Sequence, residues 1–362
     1  MNIRLYNHSD KEAWDRFVMG HANATHCHLS RWKDVIERVY GHKAYYLIAE
    51  DEGRVVGLFP LIHIKSLIFG NQLVSMPFLN YGGILASSEE AEKTLLREAT
   101  ELGRRLGVKN LEIRSISFAS CLRENGSPDP ISSQALQPSP NWDERTDKVR
   151  MVLELSGGLD LLFHTLGSKL RSQIRRPQKE GMKMVIGGSE HLSEFYRVFS
   201  TNMRDLGSPV HPKRLFQEIL DQFDEDVKIG IVLHNGRPVA GGMIVCFRET
   251  VEIPWASSLR KYNRFSPNML LYWSFIEHAS NEGFRVFDFG RSTIGEGTHK
   301  FKEQWKAKPY PLYWNSVSTA GKKAAVFNIE SKYVDTASLI WKKIPVPIAN
   351  WVGPKIRASI SL

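Results

Sequence analysis

Two stretches of this chain, separated by about 180 residues, alternate apolar and polar positions in the same way. The first, Tyr45 to Leu61, reads YYLIAEDEGRVVGLFPL and predicts two strands joined at a Glu-Gly turn. The second, Val227 to Val245, reads VKIGIVLHNGRPVAGGMIV and hinges at Asn235-Gly236. Each hairpin is followed by a further extended segment, a long helix and a strand ending in Arg-Ser. Those closing strands are Leu111 to Ser115 and Phe287 to Ser292. A mixed α/β unit is therefore expected twice in one chain.

The remaining periodicity fills in both units. Ile3 to Tyr6 predicts a strand, and Ser9-Asp10 is the expected cap of the helix KEAWDRFVMG. In the next helix, LSRWKDVIERVYG, Trp32, Val35, Ile36 and Val39 share a face. The strand NQLVSMP, the loop Phe78 to Ala86 and the helix SEEAEKTLLREATELGRRLG follow. That helix has acids in its first turn and arginines in its last, as its dipole favours. Residues 119–147 are Pro- and Ser-rich and aperiodic, which predicts a surface loop or linker. Strand VRMVLEL and helix GLDLLFHTLGSKLRSQIRR then open the second unit, which repeats the order of the first. The expected divisions are 1–145, 146–318 and a basic extension, 319–362. The extension carries Trp341, Ile344, Val346, Ile348, Trp351 and Val352 among prolines. Packing against the second domain and peripheral contact with a membrane are both open to it.

Charge changes the picture more than composition does. A formal net charge of +9 over 362 residues favours anionic partners such as RNA, phosphorylated precursors or the inner membrane surface. Cys27, Cys121 and Cys246 are too few and too scattered for a disulfide framework. The first residues have no secretory apolar core, and no run nears the ~18 apolar residues that span a bilayer. A cytoplasmic protein is expected.

Candidate chemistry sits in two segments of the second unit. One is GTHKFKEQW, Gly297 to Trp305, just after the last strand. The other is LRSQIRRPQKEGMKM, Leu170 to Met184. Around it, Lys169, Arg175, Arg176, Lys179 and Lys183 fall on one helical sector opposite Leu166, Leu170 and Ile174, with Arg171 outside it. Such a stripe suits an RNA backbone, provided that Pro177 only kinks the helix. The tight set His21, His26, Cys27 and His28 has no matching ligand cluster elsewhere in the sequence, so no metal is expected. Asp288-Phe289-Gly290 lacks every other kinase motif and reads as a strand end. Glu154, Asp160 and the other carboxylates show no spacing that nominates a general base.

The order strand, two helices, strand meander, helix, strand resembles the GNAT acyltransferase unit, twice over. With Lys300-Phe301-Lys302 and the basic run ending Lys179-Glu180-Gly181, residues 1 to 318 resemble the FemABX peptidyltransferases. The fold class implied is α/β (α+β), two tandem GNAT-like domains, each a twisted mixed sheet flanked by helices. The resemblance implies an acyltransferase that moves an aminoacyl group from aminoacyl-tRNA to an amine of a peptidoglycan or other cell-envelope precursor. Lys302 and Phe301 match the positions that the family uses at the tRNA 3′ end and the reacting ester. Lys169, Arg175, Arg176, Lys179 and Lys300 are the expected tRNA contacts. Arg204, Trp255, Asn80, Tyr81 and Arg291 are the expected substrate contacts. DNA is not an expected partner, and no cofactor is expected.

One departure bears on the donor. GNAT domains that use acetyl-CoA have a basic, glycine-rich turn before the long helix, where amides cradle the pyrophosphate. The matching segment here, Ser258 to Asn268, contains Lys261 and Arg264 but no glycine. Two alternatives stay open. One is acyl-CoA-dependent transfer to an amino sugar in exopolysaccharide synthesis, as in the FemAB-like relatives linked to exosortase systems. The other is a saccharide- or peptide-binding accessory protein without catalysis.

Overall fold

The structure is a computed structural model that describes residues 1–66, 70–116, 142–145, 147–319 and 331–361. Most of the expected linker, Cys121 and the first residues of the C-terminal extension lie outside the described residues. β1 (Asn2–Leu5) is followed by α1 (Lys11–Gly20) and α2 (Arg31–Tyr40). Then come β2 (Lys43–Ala44), β3 (Leu47–Asp51), β4 (Arg54–Phe59), β5 (Ile62–Ser66) and β6 (Gly70–Val74). The short β7 (Leu85–Ala86), α3 (Glu89–Arg105) and β8 (Asn110–Ser115) complete the first repeat. β9 (Trp142–Arg145) and β10 (Lys148–Glu154) lead into α4 (Leu159–Thr165), α5 (Ser168–Lys179) and β11 (Lys183–Gly187). The helices α6 (Leu192–Leu206) and α7 (Lys213–Phe223) precede β12 (Val227–His234) and β13 (Arg237–Phe247). β14 (Thr250–Ser258), α8 (Pro267–Asn281) and β15 (Val286–Thr293) close the second repeat. Beyond it lie α9 (Gly297–Glu303), β16 (Lys308–Pro311), β17 (Tyr313–Ser318), α10 (Ser331–Trp341) and α11 (Val346–Arg357).

The repeats agree beyond element order. Glu52-Gly53 and Asn235-Gly236 both hold φ between 48° and 77°, the left-handed pair that a tight hairpin requires. The hairpins also shift register at the same distance before their turns, between Ala49 and Glu50 and between Val232 and Leu233. In each repeat one parallel pairing follows, and it is short. β6 pairs with β8 from Gln72↔Asn110 to Val74↔Glu112. β14 pairs with β15 from Thr250↔Val286 to Glu252↔Asp288. Past Glu252 and Asp288 both strands run on, to Ser258 and Thr293, no longer paired with each other.

The chain divides into two units. One comprises Met1–Val149, Pro311–Phe327 and Ser359–Leu362, and the other Arg150–Tyr310 and Asn328–Ala358. In the first, strands order as β1-β3-β4-β7 and as β2-β5-β6-β8-β17-β9. In the second, a single sheet runs β11-β12-β13-β14-β15-β10-β16. β17, expected in the second domain, lies antiparallel to β8 from Tyr313↔Ser115 to Ser318↔Asn110. It covers the edge that β8 would otherwise expose. Residues 142–145, expected as loop, form a strand against β17.

Local expectations fare similarly. Asn7, not the Ser9-Asp10 pair, caps the first helical turn, and the Asp10 carboxylate accepts from the Asn7 amide at 2.7 Å. Ser88 caps α3, whose Leu95, Ala99 and Leu102 fill the first unit's core with Leu47, Phe59, Leu73 and Leu111. α5 runs unbroken through Pro177, which lies in its last turn and is buried with Leu170 and Ile174. The helix stops at Lys179, so Lys183 belongs to β11 and leaves the basic sector.

Candidate active site

The site grows from the point where β14 and β15 part. Glu252 and Asp288 are register partners there, both almost fully buried. Side chains at paired positions of a parallel ladder leave the same face of the sheet, which sets two carboxylates side by side. Burial pushes the Asp288 carboxyl up, the Arg150 guanidinium opposes that, and Glu252 adds to it. Arg150 comes from β10, the neighbour of β15, and its Nε donates to Asp288 Oδ2 at 2.6 Å. The other carboxylate oxygen accepts from the Gly290 amide at 2.8 Å. Gly290 has φ +71°, a left-handed kink that breaks the strand's alternation.

Lys302 meets this kink. α9 packs on β15, and the Lys302 side chain is 7% exposed. Its Nζ donates to the carbonyls of Gly290 at 3.1 Å and Arg291 at 2.7 Å. An ammonium has three protons, so one remains for another acceptor. Burial pulls the Lys302 pKa down to about 8, Asp288 and Glu252 work against it, and Arg291 assists it. Between about 8 and the ordinary 10.5, the unfolded chain binds more protons at this lysine than the folded one does. Stability is therefore expected to rise across that window, by about 3 kcal/mol from this group. Urea unfolding against pH checks this, and the rise should vanish in Lys302→Met.

Aromatic rings brace the helix. Phe301, half-buried, meets Tyr272 edge-on at 5.0 Å, and Tyr272 stacks on Phe289 at 5.6 Å. Trp305 lies 6.3 Å from Phe301. Lys300 stands exposed on the same helix. The Ser292 hydroxyl and the Trp305 indole nitrogen are buried with no hydrogen-bond partner among the described residues.

The other expected residues are distributed more widely. Arg291 joins Lys302 directly through its carbonyl. Trp255 on β14 is buried against Phe216 at 5.3 Å and His211 at 6.5 Å. Arg204, at the end of α6, donates to Asp205 at 2.7 Å and to the Ile344 carbonyl at 2.9 Å, tying down the C-terminal extension. Lys169, Arg175, Arg176 and Lys179 are exposed together on α5, with Arg175 stacked 4.9 Å from the Phe163 ring. α5 also packs on the 3-10 turn Arg260–Phe265, whose Arg260, Lys261 and Arg264 are exposed and widen the basic surface. Asn80 and Tyr81 belong to the first unit, Tyr81 fully buried. The glycines after them have a packing cause: a Cβ at Gly82 would collide with Met76, and one at Gly83 with Ser115. Sequence reasoning missed Arg150, Glu252, Asp288 and Ser292. The one signal available was the acid at matching places in the closing strands, Glu112 and Asp288.

Residues 168–306 match the family model described as an acetyltransferase (GNAT) domain. Among solved structures, FemX has 14% sequence identity and a TM-score of 0.64, with 88% of this chain and 98% of FemX covered. The C-terminal domain of a putative lysylphosphatidylglycerol synthetase from Agrobacterium fabrum has 14% identity and a TM-score of 0.54, covering 93% and 96%. A tandem GNAT protein from the clavulanic acid biosynthesis pathway has 10% identity and a TM-score of 0.52, covering 88% and 98%. No curated protein matches the sequence. At such identities the likeness is one of fold. The second unit carries a GNAT acetyltransferase domain, matched over residues 168–306. The chain shares its fold with FemX and with a tandem GNAT protein, so the expected fold of two tandem GNAT-like domains is met. No described helix is long and apolar enough to cross a membrane.

Proposed function

We propose that this protein transfers an aminoacyl group from aminoacyl-tRNA to an amine of a peptidoglycan or other cell-envelope precursor. The observation that carries the reading is the buried Lys302 ammonium, fixed by two strand carbonyls beside the parting of β14 and β15. The acceptor nitrogen attacks the ester carbonyl carbon and negative charge collects on the carbonyl oxygen. A donor already held in place, in a dry setting, stabilises that charge without reorganising. Collapse breaks the bond to the ribose oxygen, which leaves with the proton that the amine gives up. Phe301 offers a ring face for the terminal adenine, and α5 with the Arg260–Phe265 turn offers cations for the RNA backbone. The names of two relatives, FemX and the putative lysylphosphatidylglycerol synthetase, agree with an envelope acceptor.

A second reading rests on one observation. The exposed Arg260, Lys261 and Arg264 stand just ahead of the α8 N-terminus, where other GNAT domains hold a coenzyme A pyrophosphate. Mass spectrometry separates the two. Envelope precursors bearing a free amine are incubated with the protein and either a charged tRNA pool or an acyl-CoA pool. An aminoacyl mass gain with charged tRNA alone is the expected result. An acyl gain with acyl-CoA alone moves the assignment to the second reading, and no gain with either overturns both.

A further inference from the structure

We propose that the paired C-terminal helices α10 and α11 dock this protein on the surface of an anionic lipid bilayer. One side of the pair is fixed to its own unit. Ala349 and Gly353 are buried, and a Cβ at Gly353 would come within 3.0 Å of the Val210 amide nitrogen and 3.4 Å of the Trp341 ring. Arg204 Nη1 donates to the Ile344 carbonyl at 2.9 Å, and Arg357 Nε donates to His211 Nε2 at 3.1 Å. The outward side is therefore held in a set orientation.

The exposed part of each of the two helices is apolar and cationic at once. Ile348, Trp351 and Lys355 follow helical spacing on the sector of α11 opposite Gly353. Trp351, 69% exposed, is the most exposed large hydrophobic side chain among the described residues. Lys355 Nζ sits 4.4 Å from the centre of its ring. At the end of α10, Leu339 and Ile340 are 60% and 61% exposed and are followed by exposed Lys342 and Lys343. Residues 331–361 contain five basic side chains and one acidic, Asp335. A second copy of this surface would bring like charges together, whereas anionic headgroups complement them. Indole beside lysine suits the headgroup level, with the ring toward the acyl chains and the ammonium in water. At 11 and 12 residues these helices are too short to span and suited to lie flat.

The proposal does not depend on which donor the site uses, and sedimentation with vesicles tests it on the full chain. Phosphatidylcholine vesicles containing about one-third phosphatidylglycerol should retain the protein, and pure phosphatidylcholine should not. Raising salt to roughly 0.5 M should release most of it. Trp351→Ser with Ile348→Ser should weaken retention by at least about tenfold. Lys342→Glu with Lys343→Glu should do the same, with transfer to a soluble acceptor unchanged in both variants. No retention, or equal retention by both kinds of vesicle, overturns the proposal. So does a wild-type dimer in buffer that Trp351→Ser converts to monomer, since a second copy would then be the occupant.

Discussion

Lys302→Met is expected to lower kcat/KM for aminoacyl transfer by about two to three orders of magnitude while leaving the protein folded. Methionine keeps most of the length of the side chain and removes the charge. It also removes the desolvation cost that drags the lysine down to about 8. Against that, the Gly290 and Arg291 carbonyls lose their donor, at roughly 1–3 kcal/mol each. The opposing terms are of similar size, so thermal unfolding should move by only a few degrees and the loss of activity is separable from loss of fold. The pH profile gives a second readout. If the ammonium form acts, kcat/KM falls as pH rises through about 8, and Lys302→Arg should carry that falling limb to higher pH. Activity within threefold of wild type in Lys302→Met would remove the lysine from the chemistry.

The largest effect on stability is expected at Arg150. Its guanidinium is the ion-pair partner of Asp288, a carboxylate with 0% exposure. Arg150→Met would leave that charge buried beside Glu252, and breaking a buried pair from one side costs about 3–5 kcal/mol. Asp288 would instead take up a proton, so the deficit should shrink as pH falls. Its folded-state pKa already lies above the ordinary carboxylate value, and losing Arg150 raises it further. The double variant Arg150→Met with Asp288→Asn should recover much of the loss, because no unpaired charge is left. The asparagine oxygen can still accept from the Gly290 amide. Denaturant unfolding of the two single variants and the double, each at two pH values, gives the coupling directly.

How much of this could be read from residues alone divides along chain distance. The duplication was legible because its marks are local: Glu52-Gly53 and Asn235-Gly236 declare their turns, and the alternation on each side declares the strands. The cap and charge bias of α3 were legible for the same reason. The polar run before Lys148 hid a strand, because 142–145 is stabilised by β17 rather than by its own pattern. β17 itself joins a sheet whose other strands lie far earlier in the chain. Lys300-Phe301-Lys302 stood out in sequence, but what surrounds Lys302 did not. Arg150 and Asp288 are 138 residues apart, and nothing in either local pattern announces the pair. Glu252 and Asp288 become neighbours only through the register of a parallel pairing. The Asp-Phe-Gly triplet was read as a strand end, which it is, but its acid also supports the kink that offers two carbonyls to the lysine.

The most direct measurement is a crystal structure with a hydrolysis-resistant aminoacyl-adenosine, in which an amide replaces the reactive ester. The expected result is the acyl carbonyl oxygen about 3 Å from Lys302 Nζ, with the adenine against Phe301. An analogue bound with its carbonyl away from the Gly290 kink, and Lys302 still turned only to its two backbone acceptors, would contradict the assignment.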